Sequence, residues 1–325
     1  MSRKRLAVLG AGAVGGSVVE LAAEYGHDVV AFADSSSAVV DADGLDAAAV
    51  LDRKETEGVV GDGDPDDALA AEYDVLVEAT PTTLGDAEPG ISHVEAALAR
   101  DRDVVLANKG PVAERYADVR ALERGSDGRV LFEATVGGAI PVLSTLADYG
   151  PAHVTAARGI LNGTANFILS RMTTEGLGYE HVLAEAQDLG VAEADPAFDV
   201  EGTDAALKCV ILANVLSEAR AEDPADAREF TLDDASVEGI KEIPGSALEL
   251  AGEGGRTVRL IGEATPDGVR VGPRLVPKNG SLAVGGTRNV VQLEHVHCGQ
   301  LNLSGRGAGG PETAAAVLAD VGRLS

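Results

Sequence analysis

The feature that most constrains this chain is one junction near its start. RLAVL, a β-branched run, leads directly into GAGAVG at residues 10–15 and then into the amphipathic stretch SVVELAAEY. A GxGxxG turn is informative only with a strand before it and a helix after it, and both are present. Gly10 permits the tight turn, Gly12 lets the backbone approach a pyrophosphate, and Gly15 lets helix and strand pack closely. The loop that also contains Ala11, Ala13 and Val14 would then present a helix N-terminus to the anion. A glycine-rich turn without a ligand is the competing reading.

The alternation continues to residue 133, with DVVAFA, DVLVEA, DVVLA and RVLFE as strands and SHVEAALAR and AERYADVRALE as helices. This pattern predicts an α/β fold with a Rossmann-type, doubly wound parallel sheet. After Thr135 longer helices surround a few strands, and TVRLIGEAT, GVRVGPRLV and NVVQLEHVHCGQLNL read as strands of a second, α+β domain. The expected boundaries are 1–134, 135–303, and a helical stretch in 304–325 that returns to the first domain. Residues 218–236 read as an acidic connector.

Ligands of open α/β sheets bind outside the carboxyl ends of the strands. Asp34, at the end of the second strand, stands where a carboxylate takes ribose hydroxyls, which favours NAD. Ser35, Ser36 and Ser37, with Arg53 or Lys54 folding in, would instead suit the 2′-phosphate of NADP. Thr80, Pro81 and Thr82 are candidates to line a nicotinamide pocket. Lys109 follows the strand DVVLA and either reaches a substrate carboxylate or carbonyl, or faces solvent.

Net charge excludes one class of partner. There are 53 acidic and 26 basic residues, a balance of −27, and the lysines are only Lys4, Lys54, Lys109, Lys208, Lys241 and Lys278. Nucleic-acid binding needs clustered Lys and Arg, which are missing. An acid excess spread along the chain reads as a halophile-type solvation device. Cys209 and Cys298 are expected to be small core residues in a reducing cytoplasm. No segment is long and apolar enough to span a membrane.

The run from Ala205 to Leu216 carries one charge, Lys208. Asp204 lies four residues earlier on the same helical face, so the two can form an ion pair. That pair is either a brace for a buried helix or a proton donor. Burial favours the neutral amine and Asp204 favours the ammonium, and a balance between the two suits acid–base work.

With Lys109, EATVGGAIP (133–141), GILNGTANFILS (159–170), EADPAFDVEGTDAALK (193–208) and SGRGAGG (304–310), the chain resembles homoserine dehydrogenase from its first strand to its final helix. The resemblance implies a nucleotide-binding domain, a dimerisation region and a substrate domain. It also implies interconversion of L-aspartate 4-semialdehyde and L-homoserine with NAD or NADP, in a homodimer. Lys208 becomes the proton donor or acceptor and Asp204 its partner. Lys109 matches the family's ANK lysine. Glu193, Asp199, Gly163 and Thr164 become substrate-binding residues, and Gly307 joins the cofactor site. Glu133, with carbonyls of Val136, Gly138 and Ile140, resembles a site for a monovalent cation, Na or K; an ordinary tight turn is the alternative. Val191 departs from the family, which often has an aromatic residue there. With the sequence ending after its final helix candidate, the expectation is a short form without the regulatory or aspartokinase modules of longer relatives. A related amino-acid dehydrogenase, such as an aspartate dehydrogenase, or a non-catalytic nucleotide sensor would be the other readings.

Overall fold

The computed structural model describes residues 3–324. It divides into two compact units, one running to Ala139 and resuming at Ala308, the other spanning Ile140–Gly307.

The first unit contains β1 (Arg5–Leu9), α1 (Ala13–Leu21), β2 (Asp28–Ala33), β3 (Ala38–Val40), α2 (Ala47–Glu57), α3 (Pro65–Ala70) and β4 (Val75–Glu78). It continues with α4 (Gly90–Leu98), β5 (Asp103–Leu106), α5 (Gly110–Glu114), α6 (Tyr116–Arg124), β6 (Val130–Leu131) and α7 (Ala134–Gly137). The sheet order is β3-β2-β1-β4-β5-β6. All pairs are parallel except β2 with β3, so a short antiparallel edge strand, absent from the alternation pattern, joins the expected sheet. Leu6, Val8, Val75, Val77 and Val105 are buried on both sides, as a parallel sheet covered by helices requires.

In the second unit the order along the chain is α8 (Val142–Tyr149), β7 (Val154–Ile160), α9 (Gly163–Glu175), α10 (Tyr179–Asp188), α11 (Ala197–Val200), α12 (Thr203–Glu218) and β8 (Ala235–Val237). Then follow α13 (Gly245–Glu253), β9 (Arg256–Thr265), β10 (Gly268–Pro277), β11 (Arg288–His295) and β12 (Gly299–Arg306). Its sheet runs β12-β11-β7-β9-β10-β8 and is antiparallel apart from the β8–β10 pair.

Two expectations fail here. The run NVVQLEHVHCGQLNL is a hairpin, because His295 Nδ1 accepts from the amides of His297 and Cys298 at 3.0 and 3.1 Å and turns the chain. Cys298 therefore sits in that exposed turn rather than in a core, while Cys209 is buried.

The chain returns to the first unit as α14 (Gly310–Arg323), whose Ala314, Val317, Leu318 and Val321 share a core with Val18 and Val19 of α1. Among the described residues, no helix is long and apolar enough to cross a membrane.

Candidate active site

In the first unit the selected positions lie at the carboxyl ends of β1, β2, β4 and β5. Gly10 has φ of +105°, and a Cβ there would stand 2.3 Å from the carbonyl oxygen of Ala79. At Gly15 a Cβ would meet the Gly10 carbonyl oxygen at 1.8 Å, so close helix–strand packing requires glycine. Gly12 is different: a Cβ would find no atom within 4 Å. This is the open cradle a diphosphate needs, and α1, which Gly12 precedes with no side-chain cap, leaves its first amides for an anion. The loop of Gly10, Ala11, Gly12, Ala13, Val14 and Gly15 thus fits a dinucleotide.

Asp34 follows β2 directly. Its Oδ1 accepts from the amides of Ser36 and Ser37, both at 2.8 Å, and its Oδ2 from Lys54 Nζ at 2.6 Å. Arg53 is turned away, paired with Glu57 and Asp62. After β4, the Thr80 hydroxyl donates to Glu78 Oε1 and accepts from Asn108 Nδ2 at 3.1 Å. Glu78 and Asn108, both buried, hold this turn and were not singled out in the sequence. Pro81 is exposed beside it. Lys109 is half-buried before α5, its amide 3.3 Å from Thr82 Oγ1.

Glu133 is buried; its amide donates to Asp320 Oδ2 at 2.8 Å, and its Oε2 lies 3.8 Å from Arg323 Nη1. Its carboxylate already has a cationic neighbour, which a monovalent cation would have to share. Val136 follows in α7, and Gly138 turns the chain with φ of +56°.

In the second unit, Lys208 is 5 % exposed. Its ammonium donates to Asp204 Oδ2 and to the carbonyl of Leu161, each at 2.7 Å. An ammonium has three N–H donors, so one remains for another acceptor. Nearly every other residue of α12 is buried too, so the pair has little exposure to solvent. Asn162, one residue beyond Leu161, donates through Nδ2 to Asp199 Oδ1 at 2.6 Å and to Asp204 Oδ2 at 3.0 Å. Sequence reasoning passed over Asn162; the signal was an asparagine directly before the helix-starting Gly163, the place of an N-cap.

The other substrate candidates are less concentrated. Glu193 is exposed, and its backbone carbonyl accepts from Gln187 Nε2 at 3.1 Å. The Thr164 hydroxyl donates to the carbonyl of Val191 at 3.1 Å, tying the position that departs from the family to the NGT turn. Gly163 is required by crowding, since a Cβ would meet the Thr287 carbonyl oxygen at 2.8 Å. At Gly307 a Cβ would stand 1.9 Å from Asn289 Nδ2, so packing accounts for that glycine. The carbonyl of Ile140 accepts from the amide of Val142 at 2.9 Å.

The first unit carries a loop that fits a dinucleotide and the second a buried lysine–carboxylate pair, and the relatives of this chain are oxidoreductases acting on a CH–OH group. Residues 141–321 match the family profile described as Homoserine dehydrogenase, and residues 1–83 match one described as Glutamate/Leucine/Phenylalanine/Valine dehydrogenase. A homoserine dehydrogenase of Methanocaldococcus jannaschii is 38% identical over 304 residues, 90% of this chain and 87% of its own. An NAD(+)-dependent homoserine dehydrogenase of Pseudomonas canavaninivorans is 35% identical over 99% of this chain and 96% of its own. The crystal structure of a homoserine dehydrogenase from Thiobacillus denitrificans superposes with a TM-score of 0.80 at 33% identity, covering 99% of this chain and 73% of that one. The chain belongs to the homoserine dehydrogenase family.

Proposed function

We propose that the protein interconverts L-aspartate 4-semialdehyde and L-homoserine with NAD or NADP, and that Lys208 moves the proton. The observation that carries this is the Lys208 ammonium itself, buried, with two donors fixed by Asp204 and Leu161 and the third uncommitted. When bound, the nicotinamide supplies or accepts the hydride. In reduction, Lys208 Nζ gives a proton to the oxygen that gains charge as the aldehyde carbon receives hydride; in oxidation, the neutral amine takes it from the hydroxyl. Asp204 holds the amine in direction.

The carboxylates of Asp199 and Glu193 bind the substrate's amino group, Gly163 and Thr164 contact the amino acid, and Lys109 binds the carboxylate end. A monovalent cation at Glu133 and the carbonyls of Val136 and Gly138 belongs to the same reading. Its support is a buried carboxylate beside a turn that only glycine makes easily. The enzyme is a cytoplasmic homodimer serving threonine, methionine and isoleucine synthesis. Leu250 and Leu275, 70 % and 54 % exposed, are apolar surface that a second copy would cover.

The test is absorbance of reduced nicotinamide with L-homoserine and each of NAD⁺ and NADP⁺. Lys208→Ala is expected to lower kcat about 10²–10⁴-fold while leaving cofactor affinity unchanged. Equal losses in turnover and affinity would contradict the proton-transfer role. Turnover with ammonia and an oxo acid in place of homoserine would move the assignment to an amino-acid dehydrogenase.

A further inference from the structure

One amide side chain ties together the polar groups around Lys208. Asn162 is 6 % exposed at the turn from β7 to α9, and its Oδ1 caps that helix by accepting from the Ala165 amide at 2.8 Å. Its Nδ2 donates to Asp199 at the end of α11, 2.6 Å, and to Asp204 in the first turn of α12, 3.0 Å. Asp204 Oδ2 therefore receives both Asn162 and Lys208.

We infer that Asn162 is the positioning residue of the proton-transfer pair. The inference rests on the proposed homoserine reaction. An NH₂ group has two hydrogens, one for each carboxylate. Supplying both keeps two neighbouring negative charges in fixed, separate places. Asp204 then cannot rotate away from Lys208, and the third Lys208 N–H keeps a single direction. Asp199 is held at the same time with its other oxygen left for a substrate ammonium. Few side chains can do all of this. Serine keeps the helix-cap acceptor but cannot donate to both carboxylates, and aspartate keeps the cap but brings a third negative charge.

That difference separates a cap from a positioning role. Asn162→Ser and Asn162→Ala are compared with the full-length wild type for melting temperature, NADH affinity by fluorescence, and kcat and KM with L-homoserine. A deuterium isotope effect on kcat, with homoserine deuterated at C4, completes the set. Misplacement of a catalytic group by about 1 Å costs roughly 10²-fold. Asn162→Ser is expected to melt near wild type and bind NADH normally, yet to lose about 100-fold in kcat with a raised isotope effect. Asn162→Ala is expected to lose stability as well. Serine turnover within threefold of wild type, or loss of turnover only in proportion to loss of fold, would overturn the role. A wild type that does not turn over homoserine would overturn the reaction and this role together, whereas an active wild type with an equally active serine variant overturns this role alone.

Discussion

The Lys54 ammonium lies 2.6 Å from Asp34 Oδ2 and 2.8 Å from the carbonyl of Gly58, joining the end of β2 to the end of α2. Burial opposes ionisation of Asp34, but Lys54 and the donors of Ser36 and Ser37 outweigh it and hold the carboxyl far below its usual range. An ionised carboxylate at Asp34 would accept ribose hydroxyls and repel a 2′-phosphate, whereas the Lys54 ammonium would attract one. On that reasoning NAD and NADP would call on opposite members of one ion pair. Lys54→Ala is expected to reduce kcat/KM for NADP⁺ relative to NAD⁺ by roughly ten- to a hundredfold, the worth of one charged hydrogen bond of about 1.5–3 kcal/mol. Initial rates with both cofactors test this, and an unchanged ratio would remove Lys54 from the selection.

The loop glycines make separable predictions. Gly15→Ala forces a Cβ to 1.8 Å from the Gly10 carbonyl oxygen, so it should cost about 1–3 kcal/mol of stability as well as cofactor binding. Gly12→Ala meets nothing within 4 Å, so its melting temperature should be that of wild type while NADH binding weakens at least about tenfold. Fluorescence titration beside thermal melts distinguishes them. Normal NADH binding by Gly12→Ala would place the diphosphate elsewhere.

Asp320 of α14 is 3 % exposed, and burial raises its carboxyl to about 6, against the Glu133 amide and Arg323 that favour its charged form. The unfolded value is about 3.9, so between about pH 4 and 6 the folded protein holds a proton the unfolded chain has released. This contribution is present in full below that window and is lost as pH rises through it, an effect of up to about 3 kcal/mol. Asp320→Asn lacks the titrating group, so it should gain on wild type as pH goes from 4.5 to 7 in urea unfolding. A difference between the two proteins that stays constant with pH would refute the assignment.

The acid excess sets a salt response. With 53 acidic residues against 26 basic ones, self-repulsion opposes folding in dilute buffer. In molar potassium chloride, where the screening length is about 3 Å, most of that repulsion is gone. The melting temperature should climb with salt, and climb more at pH 8 than at pH 4.5, where carboxylates begin to protonate. A flat response at both pH values would leave the acid excess without a role in salt adaptation.

Legibility in the sequence followed the range of the interactions. The glycine loop is local, and so is the Lys208–Asp204 pair, four residues apart on one helix; both could be read from spacing. Asn162 was missed because its partners, Asp199 and Asp204, lie 37 and 42 positions away and only the fold brings them to it. The β11–β12 turn was invisible for a related reason: the polarity of a His-Val-His-Cys run does not announce that one imidazole ties two amides. Strand β3 has only three residues and borrows its register from β2, so no periodicity marks it.

The position of α14 has a consequence for synthesis. Val18 and Val19 of the first helix share their core with residues around 314–321, nearly three hundred positions later. A ribosome must therefore deliver the whole second unit before the nucleotide-binding unit can close its own core. Until then the earlier-made unit emerges with an open apolar flank, while Ile140–Gly307 is already free to fold. The first unit to be started is the last to be finished.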